Sequence, residues 1–337
     1  MSGLEHGGGL DRAMALHGGR REDWLDLSTG INPVPWPVPE LSVDSWHRLP
    51  DSGAEARLLA AARRAYDVPD SLEIVAAPGT QALIQALPRL LAGDTATILC
   101  GEAGTYGEHE HCCETVGRQV RLAVSPDVVA NDESLVVVVN PNNPDGRVRS
   151  ADELVTLARR LTEGVLVVDE AFCDAMPEAS VIGAAQDNIV VLRSFGKFFG
   201  LAGLRLGFAI CAPELAARIR AWFGPWAVSG PALEIGSAAL EDSDWIAETR
   251  ASLERNSAEL AGLLASAGLQ VVGRNALFVL ARHERATGIA QALAERHILV
   301  RSFSDRPTLL RFGLPAGDAE RARLAAEFAQ RIVTTAP

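Results

Sequence analysis

The feature that most constrains the fold is the run SLVVVVN at residues 134–140. A stretch that is apolar and β-branched, with no polar alternation, has no solvent face. Such strands sit in parallel sheets covered by helices on both sides. LEIVA (72–76), ATILC (96–100), VLVVDEAF (165–172), NIVVLRSF (188–195) and LRLGFAI (204–210) are further strand-like runs. Helical patterns over 52–66, 81–91 and 152–161 lie among them. The alternation predicts an α/β fold with an open, mostly parallel central sheet between helices. After Trp226 the pattern changes. A helical region runs to about 267. LQVVG, ALFVLAR, ILVRSF and LLRFGL then read as shorter strands, and 319–333 as a closing helix. The expected organisation is an N-terminal arm over 1–45 that contributes to the small domain and the active site, a large domain over 46–222 and a smaller α+β domain over 223–337. Residues 1–40, rich in Gly and Pro, read as turns and not as core.

Charge and cysteine content narrow the function. A net charge of −12 repels phosphate backbones, so no nucleic-acid partner is expected. No stretch approaches the roughly 20 apolar residues of a membrane span. The opening MSGLEHGGGLDRAM has no charged start followed by an apolar run, so no secretory leader is expected. Five cysteines (Cys100, Cys112, Cys113, Cys173 and Cys211) form an odd, unpatterned set, read as reduced thiols of a cytoplasmic protein. EHEHCC (108–113) places His109 and Cys112 or Cys113 at helical spacing, but no second ligand pair follows, and no metal is expected.

The segment richest in chemistry is SFGKFFGLAGLRLGF (194–208). Lys197 lies just past a strand end among Gly and Phe. In an apolar pocket an ammonium is destabilised, so the neutral amine can attack an aldehyde. Ser194 and Arg205 suit a phosphate dianion. Asp169 ends a buried strand and can hold a pyridine nitrogen protonated. Asn143, in NPNNPDG, can donate to a phenolate oxygen. Gly79, Thr80 and Gln81 open a helix after a strand, where free N–H groups would face a phosphate. Tyr106 can stack on an aromatic ring. Each has a plainer reading as a turn, a cap or core. Together, at presumed C-terminal strand ends, they point to pyridoxal 5'-phosphate bound through Lys197 as a Schiff base. No G-x-G-x-x-G follows the first strand, which disfavours a nicotinamide cofactor.

The order G-T-Q, Tyr, N-P-x-G, D-E-A-F, S-x-x-K and an Arg eight residues on resembles the aspartate aminotransferase fold type (fold type I) of pyridoxal-phosphate enzymes. The resemblance covers nearly the whole chain. It implies that 46–222 is the cofactor-binding domain and that the protein is a homodimer with active sites at the interface. It assigns Lys197 to the cofactor aldehyde, Asp169 to the pyridinium, Asn143 to the phenolate oxygen and Tyr106 to the ring. It assigns Gly79, Thr80, Gln81, Ser194 and Arg205 to the phosphate cup. The family's R-Y-P-D reads HRLPD here, so Leu49 replaces a Tyr that contacts the partner's cofactor phosphate; Trp46 or His47 is the candidate substitute.

Within the fold type, four segments resemble the threonine-phosphate decarboxylases of cobalamin synthesis: HGG (6–8), LSTGINP (27–33), PWAVSGPALEIGSAALEDSDW (225–245) and the pair ILVRSF with LLRFGL. Phe172, where many aminotransferases carry Tyr, fits that group. The resemblance implies a phosphorylated amino-acid substrate. Arg311 would hold its carboxylate, and His6, Asn32, Asn143 and Arg301 are the other candidates for the substrate. Decarboxylation requires the carboxylate perpendicular to the cofactor ring, after which Lys197 returns a proton to Cα. The alternatives are transamination, as in histidinol-phosphate aminotransferases, and a catalytically silent partner protein of the same fold.

Overall fold

The computed structural model describes residues 7–329. The chain forms two compact units. The larger comprises Pro35–Asn143 and Val148–Glu248; the other holds the described residues up to Val34, Pro144–Arg147 and those from Thr249 on. In chain order the strands are β1 (Leu25–Leu27), β2 (Glu73–Ala77), β3 (Thr95–Leu99), β4 (Gln119–Ala123), β5 (Leu135–Val139) and β6 (Val165–Asp169). They continue as β7 (Ile189–Ser194), β8 (Gly207–Cys211), β9 (Gln270–Asn275), β10 (Phe278–Arg282), β11 (Ile298–Ser302) and β12 (Leu309–Gly313).

The larger unit holds a seven-stranded sheet in the order β2-β8-β7-β6-β5-β3-β4. Neighbours from β4 to β7 are parallel, and β8 runs antiparallel to both β7 and β2. β5, the VVVV strand, pairs with β3 on one side and β6 on the other and is buried at every position, as a run without polar alternation requires. The helix Thr80–Leu90 lays Leu83, Ile84 and Leu87 into a core shared with Val75, Val137 and Leu192. Ser150 caps the helix Ala151–Arg160 by accepting from Glu153 N–H at 3.2 Å. None of the described helices is long and apolar enough to cross a membrane.

Arg193 on β7 is fully buried and lies 3.2 Å from a Glu170 carboxylate oxygen and 3.1 Å from one of Asp174. Its guanidinium sits 4.6 Å above the Tyr66 ring. Glu170 also accepts from Ser180 Oγ at 2.8 Å and from Val181 N–H at 2.7 Å. Burial pushes the Glu170 carboxyl above its ordinary range. Burial also opposes the charge on Arg193, but Glu170 and Asp174 outweigh it and hold the guanidinium charged. The cluster ties the end of β7 to the segment that follows β6.

Several elements of the two units lie outside the sequence reading. The edge strand β4 leaves Gln119, Arg121 and Leu122 exposed, so no apolar run announces it. The helices Glu108–Thr115 and Ala286–Ala294 are short, and the first is mostly polar. The sequence also places the domain change at 223, whereas the units divide at Thr249. The helix Gly230–Glu241 packs on Ser52–Ala65, with Gly236 against Leu58, and so stays with the larger unit.

The second unit is a five-stranded sheet in the order β1-β11-β12-β10-β9. β1 is parallel to β11 and the other pairs are antiparallel. The expectation that residues 1–40 stand outside the core is corrected over much of its length. A helix, Leu10–His17, precedes β1, and Leu10, Ala13 and Trp24 are buried with Ala294. A three-residue strand between Gly-rich segments is too short to show periodicity.

Candidate active site

The antiparallel β8 starts where β2, β6 and β7 end, so one end of the larger sheet collects Gly79, Asp169, Ser194, Lys197 and Arg205. Gly79 has φ +83°, and a Cβ there would come within 2.7 Å of Arg205 Nη2. The guanidinium therefore lies against the N-terminus of the helix Thr80–Leu90, where backbone N–H groups and the helix dipole already favour an anion. Arg205 Nη1 donates to Ala202 O at 3.1 Å, which steadies the side chain. One expectation is corrected here. The Gly79 N–H does not face a ligand but donates to Ala77 O at 2.7 Å. Gly79 contributes by lacking a side chain, and Thr80 and Gln81 open the helix. The Gln81 side chain is engaged elsewhere: its amide donates to Glu108 and its oxygen accepts from the Tyr106 hydroxyl at 3.2 Å. Ser194 is the last residue of β7 and is buried.

Asp169 is 3% exposed. Its Oδ1 accepts from Ala171 N–H at 3.1 Å and its Oδ2 from His109 Nε2–H at 2.8 Å. His109 belongs to the EHEHCC segment considered for metal binding. Its ring instead orients the buried carboxylate. Cys112 and Cys113 point into the core, where burial raises both thiols, Cys113 to about 11. His109 is the site residue that sequence reasoning missed. The signal was its position three residues after Tyr106, which puts both on one side of the helix start. Their rings meet edge-on with centroids 6.0 Å apart. Burial and the Glu108 charge push the Tyr106 hydroxyl well above its ordinary range.

Lys197 lies in the short helix Phe195–Phe198 and is half-buried. Phe195 and Phe199 stack at 4.3 Å, and Phe199 stacks on Trp245 at 5.7 Å, giving the lysine an apolar, rigid base. In the NPNNP turn, Asn140 bonds to Arg149 N–H and to the carbonyls of Arg149 and Ala179, and Asn142 to Thr105 and Gly104. Asn140 and Asn142 thus hold the turn that carries Asn143. Phe172 is buried, while Leu49 and Trp46 are 66% and 67% exposed.

In the second unit Arg301 and Arg311 lie directly opposite each other on β11 and β12. Arg311 is buried, its Nη2 donates to Ser28 O at 2.9 Å, and its guanidinium sits 5.1 Å above the Phe278 ring. Burial, with Arg301 alongside, lowers the Arg311 guanidinium to about 10. Arg301 sits over Phe303 at 5.2 Å. Asn32 is buried, and its Oδ1 accepts from Val34 N–H at 3.0 Å, capping a turn. His6 lies outside the described residues.

The larger unit fits the expected cofactor. A cradle that a Cβ would fill, with Arg205 against a helix N-terminus, suits a phosphate, and a buried, hydrogen-bonded carboxylate suits a pyridinium. The chain is 46% identical over 326 residues to a threonine-phosphate decarboxylase of a Sinorhizobium species, covering 96% of each. It is 41% identical to a threonine-phosphate decarboxylase of Pseudomonas aeruginosa, covering 95% of this chain and 96% of that one. Its fold matches the crystal structure of histidinol-phosphate aminotransferase from Sinorhizobium meliloti in complex with pyridoxal-5'-phosphate. The TM-score is 0.81 at 21% identity, with 99% of both chains covered. The fold is thus that of fold type I, with its mostly parallel sheet flanked by helices. The model of the aminotransferase class I and II family matches residues 38–328, and the chain belongs to that family.

Proposed function

We propose that the protein is a pyridoxal-phosphate-dependent decarboxylase. It converts L-threonine O-3-phosphate to CO2 and (R)-1-aminopropan-2-yl phosphate, a step of cobalamin synthesis. The observation that carries this reading is the near-full-length likeness to two threonine-phosphate decarboxylases. The Arg301–Arg311 pair supports it. Two cations facing each other across paired strands repel, and a substrate bearing a carboxylate and a phosphate supplies the compensating charge.

Arg205, Thr80, Gln81 and Ser194 would hold the cofactor phosphate, and Asp169, kept in place by His109, would hold the pyridine N–H. Tyr106 would cover the ring and Asn143 would donate to its phenolate oxygen. The bound cofactor supplies an electron sink for whichever Cα bond stands perpendicular to its ring. Lys197 would hold the cofactor through Nζ and, once free, would return a proton to the substrate Cα. Arg311 would orient the substrate carboxylate, with Arg301, Asn32 and His6 on the phosphate side. A carboxylate held too tightly by Arg311 would resist loss of CO2.

The holoenzyme is expected to release CO2 from threonine phosphate with no 2-oxo acid present. Strict dependence on 2-oxoglutarate, with a 2-oxo product, would make it an aminotransferase instead.

The protein also acts as a homodimer in this reading, in the cytoplasm, where its five thiols stay reduced. Support for the dimer comes from the larger unit, where Val43, Trp46, Leu49 and Trp226 are 59–67% exposed. The helix Val43–His47 packs at Gly230, close in sequence to Trp226. A cluster of large apolar side chains on one side of a monomer marks a protein interface. Trp46→Glu is expected to shift the protein from dimer to monomer in analytical ultracentrifugation. A monomeric wild type would overturn the assembly.

A further inference from the structure

Ser28 stands between the N-terminal strap and the buried Arg311. It follows β1, whose Asp26 accepts from both Ser28 N–H (2.9 Å) and Ser28 Oγ–H (2.6 Å) through Oδ1. The Ser28 hydroxyl oxygen in turn accepts from Gly8 N–H at 2.8 Å. Its carbonyl accepts from Arg311 Nη2 at 2.9 Å. The strap lies flat on that same carbonyl: a Cβ built at Gly7 would collide with the Ser28 carbonyl oxygen. One buried residue thus joins three things through separate atoms, namely the end of β1, the strap and the guanidinium.

We infer that Ser28 is a positioning residue for the substrate anion. Its hydroxyl latches the Gly7–Gly8 strap, and the latched strap fixes the carbonyl that aims Arg311. The inference rests on the proposed role of Arg311 as carboxylate anchor. Arg311 is buried beside a second arginine, and the Ser28 carbonyl is an acceptor that directs its guanidinium. Asp26 prevents the Ser28 hydroxyl from rotating away, so its lone pairs face Gly8. A glycine at position 7 is the condition for the strap to close on the carbonyl face. A merely structural serine would stabilise the turn without being read out in substrate affinity.

The test uses the holoenzyme. Ser28→Ala removes the hydroxyl and keeps the backbone, so KM for threonine phosphate is expected to rise about three- to tenfold, the effect of one lost hydrogen bond. kcat should stay within about twofold, the pattern of a contact that is equally strong in the ground and transition states. The dissociation constant of 3-phosphoglycerate, a carboxylate and phosphate without an amine, should rise in parallel by calorimetry. Gly7→Ala should produce the same split, enlarged, through the carbonyl instead of the hydroxyl. Unchanged KM and unchanged 3-phosphoglycerate binding in both variants would overturn the inference. So would a fall in kcat with a matching fall in melting temperature. A wild type that releases no CO2 overturns the decarboxylase reading, and the 3-phosphoglycerate titration then judges Ser28 alone.

Discussion

Lys197→Ala is expected to reduce CO2 release from threonine phosphate by about 10⁴-fold or more, since in the proposed mechanism one side chain would supply both the covalent tether and the returning proton. The variant should lose the visible absorbance of the lysine-bound cofactor while keeping its melting temperature within a few degrees. The lysine's surroundings justify that separation. Phe195, Phe198 and Phe199 bury themselves on their own account, and the stack onto Trp245 does not involve the amine. Truncating Lys197 therefore leaves the short helix seated. Activity within tenfold of wild type would show that another amine performs the chemistry.

Arg193→Leu should have the largest effect on stability, a loss of about 3–5 kcal/mol, because it strands Glu170 and Asp174 as buried carboxylates without their cation. The deficit has a pH signature. With the cation gone, both carboxylates are protonated more readily in the folded than in the unfolded chain. The folded variant then binds more protons than the unfolded one, so its stability rises as pH falls and drops as pH rises. Denaturant midpoints of the variant and wild type should converge under acid. Replacing all three residues by Met and Leu should recover most of the loss, since a buried ion cluster is often matched by apolar packing. A single-variant loss below about 1 kcal/mol would mean that water reaches the cluster.

These two residues also mark what the sequence could convey. β2, β3 and β5 to β8 were legible because burial on both faces demands continuous apolar runs. The gathering of Lys197, Asp169 and Arg205 at one end of the sheet was legible because all three follow or close strand-like runs. β4 was not, because an edge strand with an exposed face carries Gln, Arg and Leu without a run. The short β1 escaped for the same lack of pattern. His109 was hidden by its chemistry: a histidine between acids and near two cysteines looks like a metal ligand until its partner, 60 positions away in sequence, is known. The fate of the Gly79 N–H could not be read either, since a turn closing back on Ala77 is a matter of φ and ψ and not of residue type. The division at Thr249 depends on Gly236 meeting Leu58, a long-range fit that composition does not record.

The antiparallel course of β8 has a consequence for how the site comes into being. Ser194, Lys197 and Arg205 all lie on the single connection from β7 to the adjacent β8, whose register pairs Ser194 with Gly207. The amine and two of the proposed phosphate-binding groups are therefore brought together by closing one short loop. The parallel strands, by contrast, can pair only after long crossovers have been ordered. Asp169 and the Thr80 helix must still arrive from distant parts of the chain. The chain entropy spent on gathering Ser194, Lys197 and Arg205 is therefore smaller than that spent on bringing in Asp169 and the Thr80 helix.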